Sequence, residues 1–236
     1  MTTLVLWDVD GTLIRAGGLG REPFQRAVAS VVSGRDLDPM LHEQVRMSGK
    51  TDPQIARELL LLASVSEADV EDHLPDVLRL LESNLGEVEA DIAARGHVLP
   101  GVPELLEHCA GAEGVVSSVL TGNLAGNALV KLRAFGLDRW LDLRVGAYGS
   151  DHHDREELVP IALAKASAHH GGSFAAASTW VIGDTPRDLA CAAAGGARCL
   201  LVATGTYGRD ELEGLGADAV LDDLADTEAV RSLLGL

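Results

Sequence analysis

Short continuous apolar runs alternate with longer stretches of helical spacing along most of this chain. Leu4, Val5 and Leu6 form the first run, of the kind shown by a strand buried on both faces. Further strands are expected over residues 115–120, 141–147, 179–182, 199–203 and 219–221. Helical stretches separate them, over residues 104–109, 124–135, 156–170 and 186–194, and a last helix covers 230–234. Gly136 and the Gly195-Gly196 pair stop two of these helices, as glycine does just past a helix end. Pro160 leaves the start of the 156–170 helix open. Strands alternating with helices form βαβ units, whose right-handed crossovers build a parallel sheet covered on both faces. The pattern predicts an α/β fold with a Rossmann-like, doubly wound parallel sheet.

Residues 21–95 break this alternation. Phe24, Val28 and Val31 recur at i, i+4 and i+7, and Ile55, Leu59 and Leu62 repeat the spacing. Thr51 with Gln54 reads as a capping box, with Pro53 in the first turn. Ser66 is placed to cap a further helix, which Pro75 is expected to interrupt or kink. Residues 87–95 favour helix and end at Gly96. The glycine-rich stretch from Arg15 to Gly20 reads as a hinge or flap on the way in, and Leu99-Pro100-Gly101-Val102-Pro103 punctuates the return. The chain thus divides into a discontinuous α/β core, 1–15 and 97–236, and an inserted all-helical cap, 16–96.

A formal charge of −17 over 236 residues, with Lys50, Lys131 and Lys165 as the only lysines, argues against nucleic acid or an anionic membrane surface as partner. No apolar run reaches the length needed to span a bilayer. The N-terminus enters a strand at once, without the pattern of a secretory signal. Cys109, Cys191 and Cys199 are odd in number and lack C-x-x-C spacing, so a disulfide framework or zinc site is not expected. These features suit a cytoplasmic protein, monomeric or homodimeric.

Polar signatures collect where strands end. Asp8 interrupts the first run and Asp10 follows two residues later, so both carboxylates can face one pocket, with Gly11 permitting a tight reversal. Two acids this close repel unless a cation or proton intervenes, which suits a hard, oxygen-ligated ion such as Mg²⁺. Thr121-Gly122-Asn123, the loop from Ser150 to Arg155, and Asp184 with Asp188 follow later strands. In open parallel sheets ligands bind outside the carboxyl ends of the strands.

These residues, in this order, resemble the haloacid dehalogenase-like hydrolase superfamily, in its capped phosphoglycolate phosphatase-like and β-phosphoglucomutase-like branch. The resemblance implies that Asp8 is a nucleophile forming an aspartyl-phosphate and that Asp10 is the general acid and base. It implies a Mg²⁺ site on Asp8, Asp10 and Asp184, completed by the carbonyl of Val9, with Asp188 in or beside it. Thr121 and the amides of Gly122 and Asn123 would hold phosphoryl oxygens at a helix N-terminus. A lysine is usual in the family at the start of the helix before the last acidic motif. Here Arg155 stands there, whereas Lys165 lies about ten residues, or roughly 15 Å, further along.

The functional expectation is Mg²⁺-dependent hydrolysis of a small phosphomonoester. Asp10 speaks against a dehalogenase, which lacks that second acid. A β-phosphoglucomutase-like phosphotransferase keeps both acids; a phosphonoacetaldehyde hydrolase would need Lys50 as a Schiff base; a non-catalytic scaffold would not need the full acid set. Lys50, in Ser48-Gly49-Lys50-Thr51, is the cap's candidate substrate contact. Thr185-Pro186-Arg187-Asp188 is also a competent capping sequence, so Asp188 stays open between ligand and cap. His152-His153 and His169-His170 lack metal-protease spacing and read as solvated.

Overall fold

The computed structural model describes residues 2–32 and 37–236. Strand β1 (Thr3–Trp7) leads into β2 (Ile14–Arg15), then into helices α1 (Glu22–Val31), α2 (Asp52–Leu62), α3 (Glu67–Gly86) and α4 (Glu89–Arg95). Strand β3 (His97–Val98) and helix α5 (Val102–Gly111) return the chain to β4 (Val115–Thr121) and α6 (Ala125–Arg133). Then follow β5 (Ala147–Tyr148), α7 (Leu158–His170), β6 (Thr179–Gly183), α8 (Pro186–Gly195), β7 (Arg198–Val202), α9 (Arg209–Glu213), β8 (Ala219–Leu221) and α10 (Thr227–Leu234).

Six strands form one parallel sheet in the order β5-β4-β1-β6-β7-β8. Side-chain alternation along β1 builds two layers. Leu4 and Leu6 pack with Leu158 and Ala162 of α7 and Cys191 of α8, while Val5 and Trp7 pack with Leu105 of α5 and Val230 of α10. Both faces are covered, which is why β1 reads as an unbroken apolar run. The strand order reverses beside β1, and a crevice opens there past the strand ends.

Helices α1 to α3 gather around an apolar cluster of their own, including Phe24, Val28, Ile55, Leu59 and Leu81. Two crossings join this helical unit to the sheet, and there β2 and β3 pair antiparallel, Ile14 with Val98 and Arg15 with His97. Two residues are too few for a period-two signal, so the expected hinge at Arg15 begins inside a strand. No helix among the described residues is long and apolar enough to cross a membrane. The three cysteines are buried and free.

Three expectations about elements need correction. Of residues 141–147 only Ala147 joins the sheet, with Tyr148, because the Asp142 amide turns to the Ser117 carbonyl at 2.8 Å. The Tyr148 hydroxyl also folds back onto the Leu143 carbonyl at 2.8 Å. Pro75 does not end a helix: α3 runs through it, with Pro75 exposed, so water can take the carbonyl that its missing N–H frees. The helix expected from 156 starts at Leu158, after a short 3₁₀ turn over Arg155–Glu157 whose Glu156 amide donates to Asp154 Oδ1 at 3.1 Å. Pro160 therefore falls in the first turn, where its missing donor costs nothing.

Candidate active site

Asp8 follows β1 directly, its amide donating to the Ile182 carbonyl of β6 at 2.8 Å, and its side chain is buried. The next turn closes by donation from the amides of Leu13 and Ile14, at 3.0 and 3.1 Å, to the Val9 carbonyl. That carbonyl thus accepts two backbone hydrogen bonds within the turn. Gly11 sits at φ +88°, and a Cβ there would stand 2.5 Å from Asp184 Oδ2. A Cβ at Gly205 would stand only 1.6 Å from the same atom, so two glycine loops close around the Asp184 carboxyl.

Oxygens of Asp8, Asp184 and Asp188 lie within 4.8 Å of one another, all three residues being buried. Burial raises Asp8 to about 6 against the opposing pull of Arg155, with Asp188 and Asp10 adding to the rise. Asp184 is pushed up to about 9, by burial first and then by Asp8 and Asp188. Asp184 Oδ1 is buried without a hydrogen-bond partner. An orphaned carboxylate oxygen beside two further acids, in a pocket held open by glycines, fits a small hard divalent cation.

Arg155 reaches the pocket as the sequence suggests. Its Nη2 meets both Asp188 Oδ1 and Asp8 Oδ1, the latter at 3.0 Å, and Nη1 donates to the Gly49 carbonyl at 3.3 Å. Burial alone would lower its proton affinity, yet Asp188 and Asp8 lift it above the usual arginine value. Lys165 lies elsewhere, donating to the Gly146 carbonyl at 2.8 Å and to Asp151 at 2.6 Å. Asp188 does two things at once: Oδ1 receives Arg155, and Oδ2 receives the amide and hydroxyl of Thr185 at 3.0 and 2.7 Å. Cap and cluster member turn out not to be alternatives.

The expected phosphate cradle after β4 is partly engaged otherwise. The Asn123 amide points to Thr121 Oγ1 at 3.3 Å. The first amide of the following turn, Leu124, donates to Asp52 Oδ2 at 2.8 Å, and Asn127 Nδ2 joins it at 2.7 Å. An acid from the helical unit therefore caps the turn that opens α6, beside the Gly122 and Asn123 amides expected to hold phosphoryl oxygens. Thr121, Gly122 and Asn123 still line the cavity. Gly122 has no room for a Cβ, which would meet the Lys50 carbonyl at 2.2 Å, so the 50–52 segment lies directly across it. Replacing Asp52 with Ala strands the Leu124 amide and Asn127, and should cost about 1–3 kcal/mol. A fall in the urea midpoint is the expected reading; an unchanged midpoint would show that the cap contributes nothing.

The Asp10 carboxylate lies outside the Asp8, Asp184 and Asp188 group. Its Oδ2 receives Lys131 Nζ at 2.5 Å and Asn123 Nδ2 at 2.9 Å, which draw it away from the three clustered acids. Lys131 carried no role in the sequence reading, although a signal was present: it stands on the apolar stripe of α6, three residues after Ala128 and one before Leu132. Lys50 lines the cavity, but its ammonium sits on the Glu58 carboxylate at 2.5 and 2.6 Å. The cavity, about 440 Å³, has Asp8, Asp10, Arg155 and Asp184 at its base and Phe24, Met47 and Ile55 of the helical unit opposite. Outside it, His169 and His170 stand near Asp142, which Arg144 already forks at 2.7 and 2.9 Å.

Comparison with known proteins agrees with this geometry. Residues 5–193 match the haloacid dehalogenase-like hydrolase family. The chain belongs to that family. As a haloacid dehalogenase-like hydrolase, it is 29% identical over 226 residues to the phosphoglycolate phosphatase of Rhodospirillum rubrum, covering 95% of this chain and 89% of that one. It is 25% identical over 238 residues to the probable phosphatase IndB of Dickeya dadantii, covering 100% of this chain and 96% of that one. Its fold matches that of CbbY from Rhodobacter sphaeroides, solved in complex with phosphate, with a TM-score of 0.66 at 21% identity over 96% of both chains.

Proposed function

We propose that this chain is a Mg²⁺-dependent phosphatase acting on a small phosphomonoester, with 2-phosphoglycolate the first candidate. The observation that carries the reading is the separation of four acids into two groups at the carboxyl edge of the sheet, past β1 and β6. Asp8, Asp184 and Asp188 cluster around an orphaned oxygen, while Asp10 is held apart by Lys131 and Asn123. Asp8 and Asp184 would hold Mg²⁺, with Asp188 anchoring Arg155 and Thr185 beside them. Bound there, the ion would neutralise charge on the transferring phosphoryl group.

Asp8 attacks phosphorus, and the ester P–O bond breaks as Asp10 protonates the leaving oxygen. Asp10 then takes a proton from water, whose oxygen attacks the aspartyl-phosphate and frees Asp8. Arg155 fixes one Asp8 oxygen and places positive charge beside the phosphoryl group. Residues 16–96 act as a cap that supplies the cavity's apolar wall and excludes water. Lys50, held by Glu58, is better suited to contacting substrate than to forming a Schiff base.

Turnover of 4-nitrophenyl phosphate should vanish with EDTA and return with Mg²⁺. Ca²⁺ should restore it poorly, since it prefers more ligands at longer distance and spoils in-line geometry. Undiminished turnover by metal-free protein would overturn the reading.

A further inference from the structure

Lys131 takes no part in the catalytic steps above, although its side chain is only 7% exposed and its ammonium reaches Asp10. Nζ lies 2.5 Å from Asp10 Oδ2 and 2.6 Å from Asn123 Oδ1. Asn123 Nδ2 donates to the same Asp10 oxygen at 2.9 Å and to Thr121 Oγ1 at 2.8 Å. Two donors therefore converge on one oxygen of Asp10, and each is itself tied to α6 or to the end of β4. Charge-assisted hydrogen bonds of this length are short and strong, so they hold the carboxyl in one orientation.

We propose that Lys131 is the positioning residue for Asp10. The buried ammonium gives the Asp10 carboxylate a fixed partner outside the Asp8, Asp184 and Asp188 group. With Oδ2 occupied, Oδ1 becomes the atom that exchanges a proton with the leaving oxygen. This inference rests on the phosphatase reading above. In the step concerned, the Asp8–phosphorus bond forms and the ester P–O bond breaks. The bonding pair goes to the leaving oxygen, and the proton on Asp10 Oδ1 follows it. Lys131 gives up no proton; it sets where that transfer occurs.

Such a role has a signature that a purely structural one lacks. An alkoxide must be protonated as it leaves, whereas 4-nitrophenolate leaves readily without help. The harm done by losing Lys131 should therefore grow with the basicity of the leaving group. The test compares kcat/KM of the full chain and of Lys131→Met on 4-nitrophenyl, phenyl and ethyl phosphate with Mg²⁺. The expected losses are about tenfold or less on the nitrophenyl ester and about a hundredfold or more on the ethyl ester. Lys131→Arg should recover most of the ethyl phosphate activity. Asn123→Ala, which removes the second donor, should lean the same way and serves if Lys131→Met fails to fold. An equal loss on all three esters, or none, overturns the assignment while leaving the phosphatase reading intact. A wild-type chain inert towards every ester overturns both.

Discussion

Asp8→Asn should lower kcat by about four orders of magnitude or more while the fold persists, because a weakly nucleophilic amide replaces the attacking carboxylate. The same change removes a charge from a pocket where Asp8, Asp184 and Asp188 crowd together and only Asp8 and Asp188 pair with Arg155. Burial already pushes Asp8 up to about 6, so the buried carboxylate is under strain when no cation is present. The metal-free variant should therefore melt no lower than the metal-free wild type. Turnover and thermal melting measured on the same preparations check both parts. Near-normal activity would remove Asp8 from the nucleophile's role, and a collapsed fold would show that the carboxylate is needed for structure.

Arg155→Ala should lower kcat by about two orders of magnitude or more, a loss typical of removing one preorganised charge-stabilising donor. It should also destabilise the fold, unlike Asp8→Asn. The guanidinium is buried between Asp8 and Asp188, and breaking such a pair from one side costs about 3–5 kcal/mol. Arg155→Lys should restore only part of either, since one ammonium nitrogen cannot replace both Nη2 between the two carboxylates and Nη1 on the Gly49 carbonyl. Lys165→Ala should leave kcat nearly unchanged, because Lys165 spans Asp151 and the Gly146 carbonyl outside the cavity. Measuring kcat and urea midpoints for the three variants decides the matter. A crippled Lys165→Ala beside a healthy Arg155→Ala would reverse the assignment.

Much of this arrangement is legible in the residue pattern. Short runs rich in apolar residues, such as residues 4–6, suit strands covered on both faces, and their alternation with helices leaves a parallel sheet as the consistent topology. A parallel sheet brings every strand's carboxyl end to one edge, so Asp8, Thr121 and Asp184, distant in sequence, had to meet there. Arg155 was within reach of spacing because it lies just beyond a strand end, at the beginning of a helical stretch.

What the pattern does not carry is which partner each charged side chain takes once it arrives. Lys131 meets Asp10 across 121 positions, and Asp52 meets the Leu124 amide across 72. Both contacts depend on the rotation of α6 about its axis and on how the helical unit seats against it. The two-residue pairing of β2 with β3 is equally silent locally, since its register rests on where a separate apolar cluster comes to lie. The amino-acid sequence by itself determined the sheet, the inserted helices and the edge where acids gather, because those follow from periodicity and chain connectivity. Only the tertiary structure decided that three acids cluster while the fourth is drawn aside, because that division is made by a buried ammonium whose partner is set by packing angle and not by spacing.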